Sequence, residues 1–513
     1  MNVIFTSCRS VTLELENRQI YQPEEPFQIL LNGRQVEEGQ RKNVFSLYDL
    51  EPDTAYVAEA AGQRAEFRTD RETVTLNVRD FYAKGDGESD DTGAIQAAIL
   101  SCPPGGRVLV PEGNYRIKPV FLKSHIQIEL QEGAMLLGET DRHQYPILPG
   151  RLPMNDGEDE YYLGTWEGKA ESAFAGLITG IGVEHVKLYG RGGIDGQADK
   201  SDWWVNDRVM RVAWRPRGIF LNGCRNMGLQ GLTCRNTASW NQHPFFCQDV
   251  VYADMKLQNP KENPNTDGID PESCKRVSII GCEFSVGDDC IAIKSGKFEM
   301  GEKRKTPCED VVIRNCLMQY GHGAVTLGSE LSAGLKNITV TQCRFEKTDR
   351  GLRIKTQRGR GRRAAVDNVV FDNIEMVNVK APLVVNMFYK ARNNDPDQEY
   401  MYNHSILPVD ERTPCFGSFL FKNIRATEVE WAAGAFWGLP EQPVEEIRME
   451  NVQFHMREQA EPGTAVMTLD PPQYCKSGLH FYWVKKVSLK QVTVTGADTD
   501  PYILEHVEEV DVE

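Results

Sequence analysis

Four short segments in the middle of the chain hold residues suited to proton transfer. They are Asn265-Thr266-Asp267-Gly268, Gly287-Asp288-Asp289, Gly321-His322-Gly323 and Arg350-Gly351-Leu352-Arg353-Ile354-Lys355. Three carboxylic acids and an imidazole gathered at one spot would not titrate as they do in water. Carboxylates a few ångströms apart resist ionising together, so at least one keeps its proton toward neutral pH. A held proton is what a general acid needs. Cleavage of a glycosidic bond asks for one such acid on the leaving oxygen and one carboxylate to activate water or attack the sugar. Arg353 and Lys355 add a planar fork and a point charge for an anionic group. Taken singly, each segment has a plainer reading. Asn, Asp and Gly are the residues turns prefer, an Asp pair is often a solvated corner or a calcium ligand set, and strand Arg or Lys is commonly just solvated. Their value depends on the elements that carry them.

An internal repeat supplies those elements. Ten segments begin at Val186, Met227, Val250, Val277, Val311, Ile338, Val369, Ile424, Ile447 and Val487. They share one template, apolar at the first position and again two, five and seven residues later, and all but the first fit it. Two short strands of period two, parted by a polar Asn or Gly turn and commonly recurring every 23 to 34 residues, describe the coils of a solenoid. The leucine spacing and helical half-unit of leucine-rich repeats are missing, and a propeller needs four strands per blade. The expected fold is all-β, a right-handed parallel β-helix. Each central coil carries a further strand. On it Ile269, Ile291, Ile293, Val325, Leu327, Leu352 and Ile354 point inward, and Asp270, Ala292, Lys294, Thr326, Gly328, Arg353 and Lys355 point outward. With rungs about 4.8 Å apart, Asp267 falls level with Asp289, and Asp288 with His322.

Residues 1–72 read as a small β-sandwich, and residues 73–513 as the β-helix. Leu50 to Tyr56, LeuGluProAspThrAlaTyr, resembles the tyrosine-corner segment of fibronectin type III domains. Asp80 to Thr92 leads into a helix that Asp91 is placed to cap, with Ile95, Ala98, Ile99 and Cys102 on one face as a lid over the first coil. The formal net charge of −16 argues against nucleic acid as a partner. It also means that an acidic substrate must be met by a local basic cluster. No stretch approaches the roughly 18 apolar residues of a spanning helix, and the start has no secretory leader pattern, so no membrane partner and a cytoplasmic location are expected. Thirteen cysteines without a Cys-x-x-Cys pair read as reduced core residues. Neither metal nor cofactor is expected.

AsnThrAspGlyIleAsp, GlyAspAspCysIleAlaIleLysSerGly, GlyHisGlyAlaValThrLeuGly and ArgGlyLeuArgIleLys, in that order, resemble the four signature segments of the polygalacturonase family, glycoside hydrolase family 28, over roughly residues 75 to 500. The resemblance implies inverting hydrolysis of α-1,4 bonds between galacturonate residues of pectin or oligogalacturonides. Asp288 would be the general acid, Asp267 and Asp289 would activate water, and His322 would tune the acid. Arg353 and Lys355 would hold the substrate carboxylate, with Asn265 and Lys294 in the same cradle. Tyr389, in AsnMetPheTyr, matches either a substrate-contacting or a rim tyrosine. His243, within Trp240 to Pro244, is read as reaching bound sugar, against a structural histidine. Inversion usually goes with carboxyl groups about 6.5–9.5 Å apart, whereas neighbouring rungs start closer.

Two insertions, about Lys297 to Pro307 and about Lys390 to Pro414, favour an end-acting enzyme by walling the cleft. The rivals are a rhamnogalacturonan or other pectin-backbone hydrolase, a calcium-dependent pectate lyase and a non-catalytic carbohydrate-binding solenoid.

Overall fold

Short alternating runs bounded by residues that tolerate a left-handed backbone turn the chain into flat coils. The computed structural model describes residues 1–153, 160–390 and 397–513. Its main body is a right-handed parallel β-helix, the hand that right-twisted strands favour in parallel crossovers. Three columns of strands wrap one continuous core. In the central coils the first column contains Lys275–Ile280, Cys308–Arg314 and Leu335–Thr341, and the second Glu283–Ser285, Leu317–Gln319 and Arg344–Glu346. The third contains Ile291–Ile293, Gly323–Gly328, Arg350–Lys355, Ala381–Asn386 and Ala432–Trp437. In-register pairing stacks Val277 on Val311 and Ile338, Phe284 on Met318 and Phe345, and Ile291 on Val325 and Leu352. All of these side chains are buried. The thirteen cysteines are free thiols, eleven of them buried, and Cys282, Cys316 and Cys343 share one core position of the repeat.

One backbone feature fixes the register. The residue four places after each template start has positive φ: Gly281 (71°), Asn315 (53°), Gln342 (55°), Asn373 (57°), Asn423 (50°) and Asn451 (52°). Asn suits such corners because it tolerates the left-handed region and bonds locally. Here it also bonds along the stack, Asn451 Nδ2 to Asn423 Oδ1 at 2.8 Å and Asn423 Nδ2 to Asp372 Oδ1 at 2.7 Å. Strand pairing corrects one expected segment. Val369 pairs with Phe419, while Ile424 pairs with Ile374. The apolar template overlaps itself when slid by five, so Phe419, Phe421, Ile424 and Ala426 fit it too. The misfit of the first segment has an equally local cause. Val186 pairs with Met227 and Ile194 with Cys234, so its turn holds one extra residue.

The helix Thr92–Ser101 covers the first coil with Ile95, Ala98 and Ile99. Its cap differs from expectation. The Asp91 carboxylate accepts instead from the Lys84 and Gly85 N–H groups, at 2.6 and 2.9 Å, and the Thr92 N–H goes to Asp90 Oδ1 at 3.1 Å. Two backbone donors in the preceding loop compete successfully for the side chain the helix was expected to use.

Residues 2–68 form a three-stranded and a four-stranded antiparallel sheet around a separate apolar cluster. They dock on the positive-φ corner of the β-helix. Glu14, itself buried, accepts from Arg314 Nε and Nη2 at 2.6 and 2.8 Å and from Asn315 Nδ2 at 2.8 Å, and Gln342 Nε2 donates to the carbonyls of Asn17 and Gln19. At Gly281 a Cβ would run into the Val44 side chain. Gly281→Ala is therefore expected to lift Val44 off the corner, with a left-handed strain of about 1–2 kcal/mol added. Limited proteolysis checks this: cleavage should accelerate between the N-terminal sheets and residue 75 while the β-helix stays resistant.

Candidate active site

The third column brings the four chemically suggestive segments onto one outward patch. The Gly268 N–H donates to the Asp289 carbonyl at 3.0 Å, and the His322 N–H to that of Asp288 at 3.1 Å, so the rungs sit in the expected register. Asp267, Asp288 and Asp289 each place an oxygen within 4.8 Å of the other two. Asp289 is enclosed by the next two rungs. Its Oδ1 accepts from Arg353 Nη1 at 3.0 Å and its Oδ2 from Lys355 Nζ at 2.9 Å. Asp288 faces His322 instead, Oδ1 to Nδ1 at 3.3 Å, and these two side chains are the cluster's open face, 23% and 49% exposed. Lys294 donates to Asp270 Oδ1 at 2.9 Å and lies 3.9 Å from Asp267.

The environments split the three acids. Burial holds the Asp267 carboxyl well above the ordinary carboxylate range, and the negative charges of Asp270 and Asp288 add to that effect. Its Oδ1 is buried without a hydrogen-bond partner, as is Asp270 Oδ2. Burial also raises Asp270, to about 7 despite Lys294. Asp288 and Asp289 go the other way. For Asp289 burial is outweighed by Lys355 and Arg353, and for Asp288 it is outweighed by the hydrogen bond to His322, so both are held below their usual value. The cluster thus favours the neutral form at Asp267 and the charged form at the other two. The three oxygens form a possible cation-ligating set. With Asp289 matched by two side-chain cations and Asp267 favouring its neutral form, that set offers a metal ion little charge.

Below the patch lies a second charged layer. His243 is fully buried, with Nε2 3.0 Å from Glu272 Oε2. Burial and the nearby Arg217 and Lys294 charges keep its imidazole neutral. The expectation that it reaches bound sugar is therefore corrected. Its ring is closed in by Trp240, Phe220 and Phe245, and it contacts Glu272, whose carboxyl burial lifts to about 8. Asn265 takes part at the rim, its Oδ1 accepting from Arg215 Nη2 at 2.6 Å. Tyr389 is 8% exposed, and its ring faces Arg353 and Lys355, with centroid distances of 5.7 and 5.1 Å.

Several charged residues of the site had escaped the sequence reading. Arg217 lies 5.0 Å from the rings of both Trp166 and Trp240, and Arg215 stands 5.3 Å from that of Trp166. Glu330 is kept near 2, its burial outweighed by the Lys294 and Lys297 charges. Glu272 is a further one, and it sits on a strand register that could have flagged it, two residues beyond Asp270.

Inserted segments border the patch on two sides. On one, the helix Phe298–Arg304 is tied to residues 160–171, with the Lys297 N–H donating to the Gly168 carbonyl at 2.8 Å. On the other, residues 464–467 fold back over the basic strand. Arg350 donates to the carbonyls of Ala465 and Thr464 at 2.8 and 2.6 Å, and Asn386 Nδ2 to that of Met467 at 2.9 Å. Of the expected wall at 390–414, residues 391–396 lie outside the described residues, and Gln398–Tyr402 is a short helix.

A probable polygalacturonase of Vitis vinifera is 29% identical over 395 residues, covering 75% of each chain. An exo-poly-alpha-D-galacturonosidase of Dickeya chrysanthemi is 26% identical over 396 residues, covering 68% of this chain and 61% of that one. Among solved structures, the family 28 exopolygalacturonase of Yersinia enterocolitica shares the fold over 100% of this chain and 97% of its own, with a TM-score of 0.69 at 21% identity. The exopolygalacturonase of Thermotoga maritima does so over 80% and 91%, with a TM-score of 0.63 at 24% identity. The family model of the glycosyl hydrolases family 28 matches residues 107–409, more than half of the 513. That span holds every carboxylate, imidazole and cation of the patch, and the chain belongs to family 28 of the glycosyl hydrolases.

Proposed function

We propose that this chain hydrolyses α-1,4 bonds between galacturonate residues of pectic oligosaccharides, from chain ends, by inverting acid–base catalysis. The observation that carries this reading is the pairing of a proton-holding carboxylate cluster with Arg353 and Lys355, two buried cations engaged only by Asp289 among the described carboxylates. A galacturonate carboxylate matches both cations. Its arrival would draw them from Asp289 and add negative charge beside Asp288, and both changes raise the proton affinity of the cluster. In this scheme Asp288, the solvent-facing acid, protonates the leaving oxygen, while Asp267 and Asp289 activate water. The charge split of the unliganded site favours a second assignment, with Asp267 as the proton donor.

End-wise action is supported by the segments at 160–171, 298–304 and 464–467 that border the patch on two sides. A time course on polygalacturonate should release short products from the start with slow loss of viscosity. An early ladder of mid-length oligomers would reject it, and unsaturated, ultraviolet-absorbing products would indicate elimination instead. Proton NMR of the first-formed product should show the inverted anomer, and retention would overturn that part of the mechanism.

The His322–Asp288 contact makes activity pH-dependent. The hydrogen bond to Asp288 raises the His322 imidazole above its ordinary value. The charged donor is present below that raised value and lost as pH climbs through it. His322→Gln keeps a donor that does not titrate, so the alkaline limb of kcat/KM should flatten. An unchanged limb would assign it to another group.

We also propose that the N-terminal unit is a fibronectin type III-like brace. Its sheets of three and four strands support this, as does the Tyr56 hydroxyl, which accepts from the Glu51 N–H at 2.9 Å as in a tyrosine corner. A reducing, cytoplasmic setting suits thirteen unpaired thiols.

A further inference from the structure

The strand carrying Lys355 is one rung of an outward-facing column that runs on past the catalytic patch. Pairing sets Lys355 level with Asn386, then Trp437, Tyr482 and Glu505. At about 4.8 Å per rung, Trp437 lies about 10 Å and Tyr482 about 14 Å along the axis from Lys355. Beside them opens a cleft of about 700 Å³, in which Trp437, Tyr482 and His480 share the lining with His404 and Tyr474. The Trp437 and Tyr482 ring centroids are 5.4 Å apart at 50°, and His404 stands 5.9 Å from Trp437, nearly perpendicular to it. Trp437 and Tyr482 are half-buried and His404 is exposed. Aromatic faces thus occupy outward positions that polar side chains usually fill in a solvated strand.

The charge of this cleft differs from that of the patch. Among the described residues no Lys or Arg lines it, and its carboxylates are Asp470 and Glu505. Around the catalytic cluster, by contrast, Lys294, Arg353 and Lys355 each pair with a carboxylate. Aromatic faces offer a flat apolar surface to the C–H face of a pyranose, and edge carboxylates and imidazoles accept from its hydroxyls. An ionised galacturonate here would face like charge with no cation among the described lining residues to offset it.

Building on the galacturonan reading, we propose that this cleft is a distal subsite for an uncharged pyranose of the same chain, as a methyl-esterified galacturonate is, while Arg353 and Lys355 hold an ionised residue at the reacting end. The enzyme would then favour partly esterified chains whose free acid lies at the cleavage site.

Two measurements on the full chain test this. Saturation-transfer NMR with the methyl ester of methyl α-galacturonoside needs no turnover. Signal is expected with the wild type and a clear loss with the Trp437→Ala/Tyr482→Ala variant; equal signal in both overturns the proposal. In turnover, Trp437→Ala should lower kcat/KM for a long, partly esterified oligomer, relative to the unesterified dimer, by about tenfold through KM. Glu505→Lys, a change at an exposed position, should shift preference toward the unesterified long oligomer. An equal fall for long oligomer and dimer, or no shift with Glu505→Lys, counts against the subsite. Failure to cleave any galacturonan would sink the functional reading instead, and the NMR arm would still decide the cleft.

Discussion

Asp288→Asn is expected to lower turnover of galacturonate oligomers by at least about a hundredfold, the lower end for loss of a general acid. The substitution keeps the shape of the side chain and its contact with His322 but removes the transferable proton. The fall should depend on the leaving group. An aryl galacturonide with an acidic phenol departs without protonation, so the variant should recover much of its rate on that substrate while the wild type gains little. This pattern also decides between the two candidate donors. Burial among other carboxylates favours the neutral form of Asp267 in the unliganded site, whereas the hydrogen bond to His322 favours the charged form of Asp288. If Asp267 is the donor, the leaving-group rescue will appear in Asp267→Asn and be absent from Asp288→Asn.

Much of this site was legible because a solenoid turns sequence spacing into position. Once Val277, Val311 and Ile338 share a template, the strands after them share a register, and Asp289, Arg353 and Lys355 must meet within two rungs. The same property explains the errors. Apolar spacing alone left Ile424 and Phe419 equivalent, and only the pairing of Phe419 with Val369 separates them. His243 sits one rung from Asp270, and the resemblance of Trp240 to Pro244 to the segment lining the neighbouring coil placed it near the sugar. What register omits is the cover that Trp240, Phe220 and Phe245 form over it.

Residues outside the repeat left no comparable trace. Arg215 and Arg217 come from the long connection after Lys200, and Met467 from the loop between Val444–Met456 and Ser477–Thr495. No spacing rule ties such segments to a rung. Their burial among aromatic rings and backbone carbonyls is visible only in three dimensions. Burial lowers Arg215 and Arg217 to about 10, a cost their neighbours Asp267, Asp270 and Glu272 partly offset. The carboxylates and these hidden cations thus partly offset one another in one layer, and the local basic cluster demanded by a net charge of −16 is largely beneath the surface.

That balance sets the second large effect. Arg353 is 4% exposed and is bonded to Asp289, so Arg353→Gln removes half of the cation pair proposed to grip the substrate carboxylate. Truncating one partner of a buried, hydrogen-bonded charge pair costs about 2–5 kcal/mol. A loss in the middle of that range predicts a fall in kcat/KM of about a hundred- to a thousandfold. The acid side of the profile should move as well. Asp289 is held below its ordinary value by Lys355 and Arg353 against the opposing effect of burial, so its stabilising charge is present above the unfolded value and lost as pH falls through the folded one. Without Arg353 the folded value rises, and both stability and activity should begin to fall at a higher pH. Substrate methylation separates gripping from positioning. If Arg353 binds the carboxylate, esterifying the residue at the cleavage site should harm the wild type severely and the variant much less. Equal losses in both would confine Arg353 to holding Asp289.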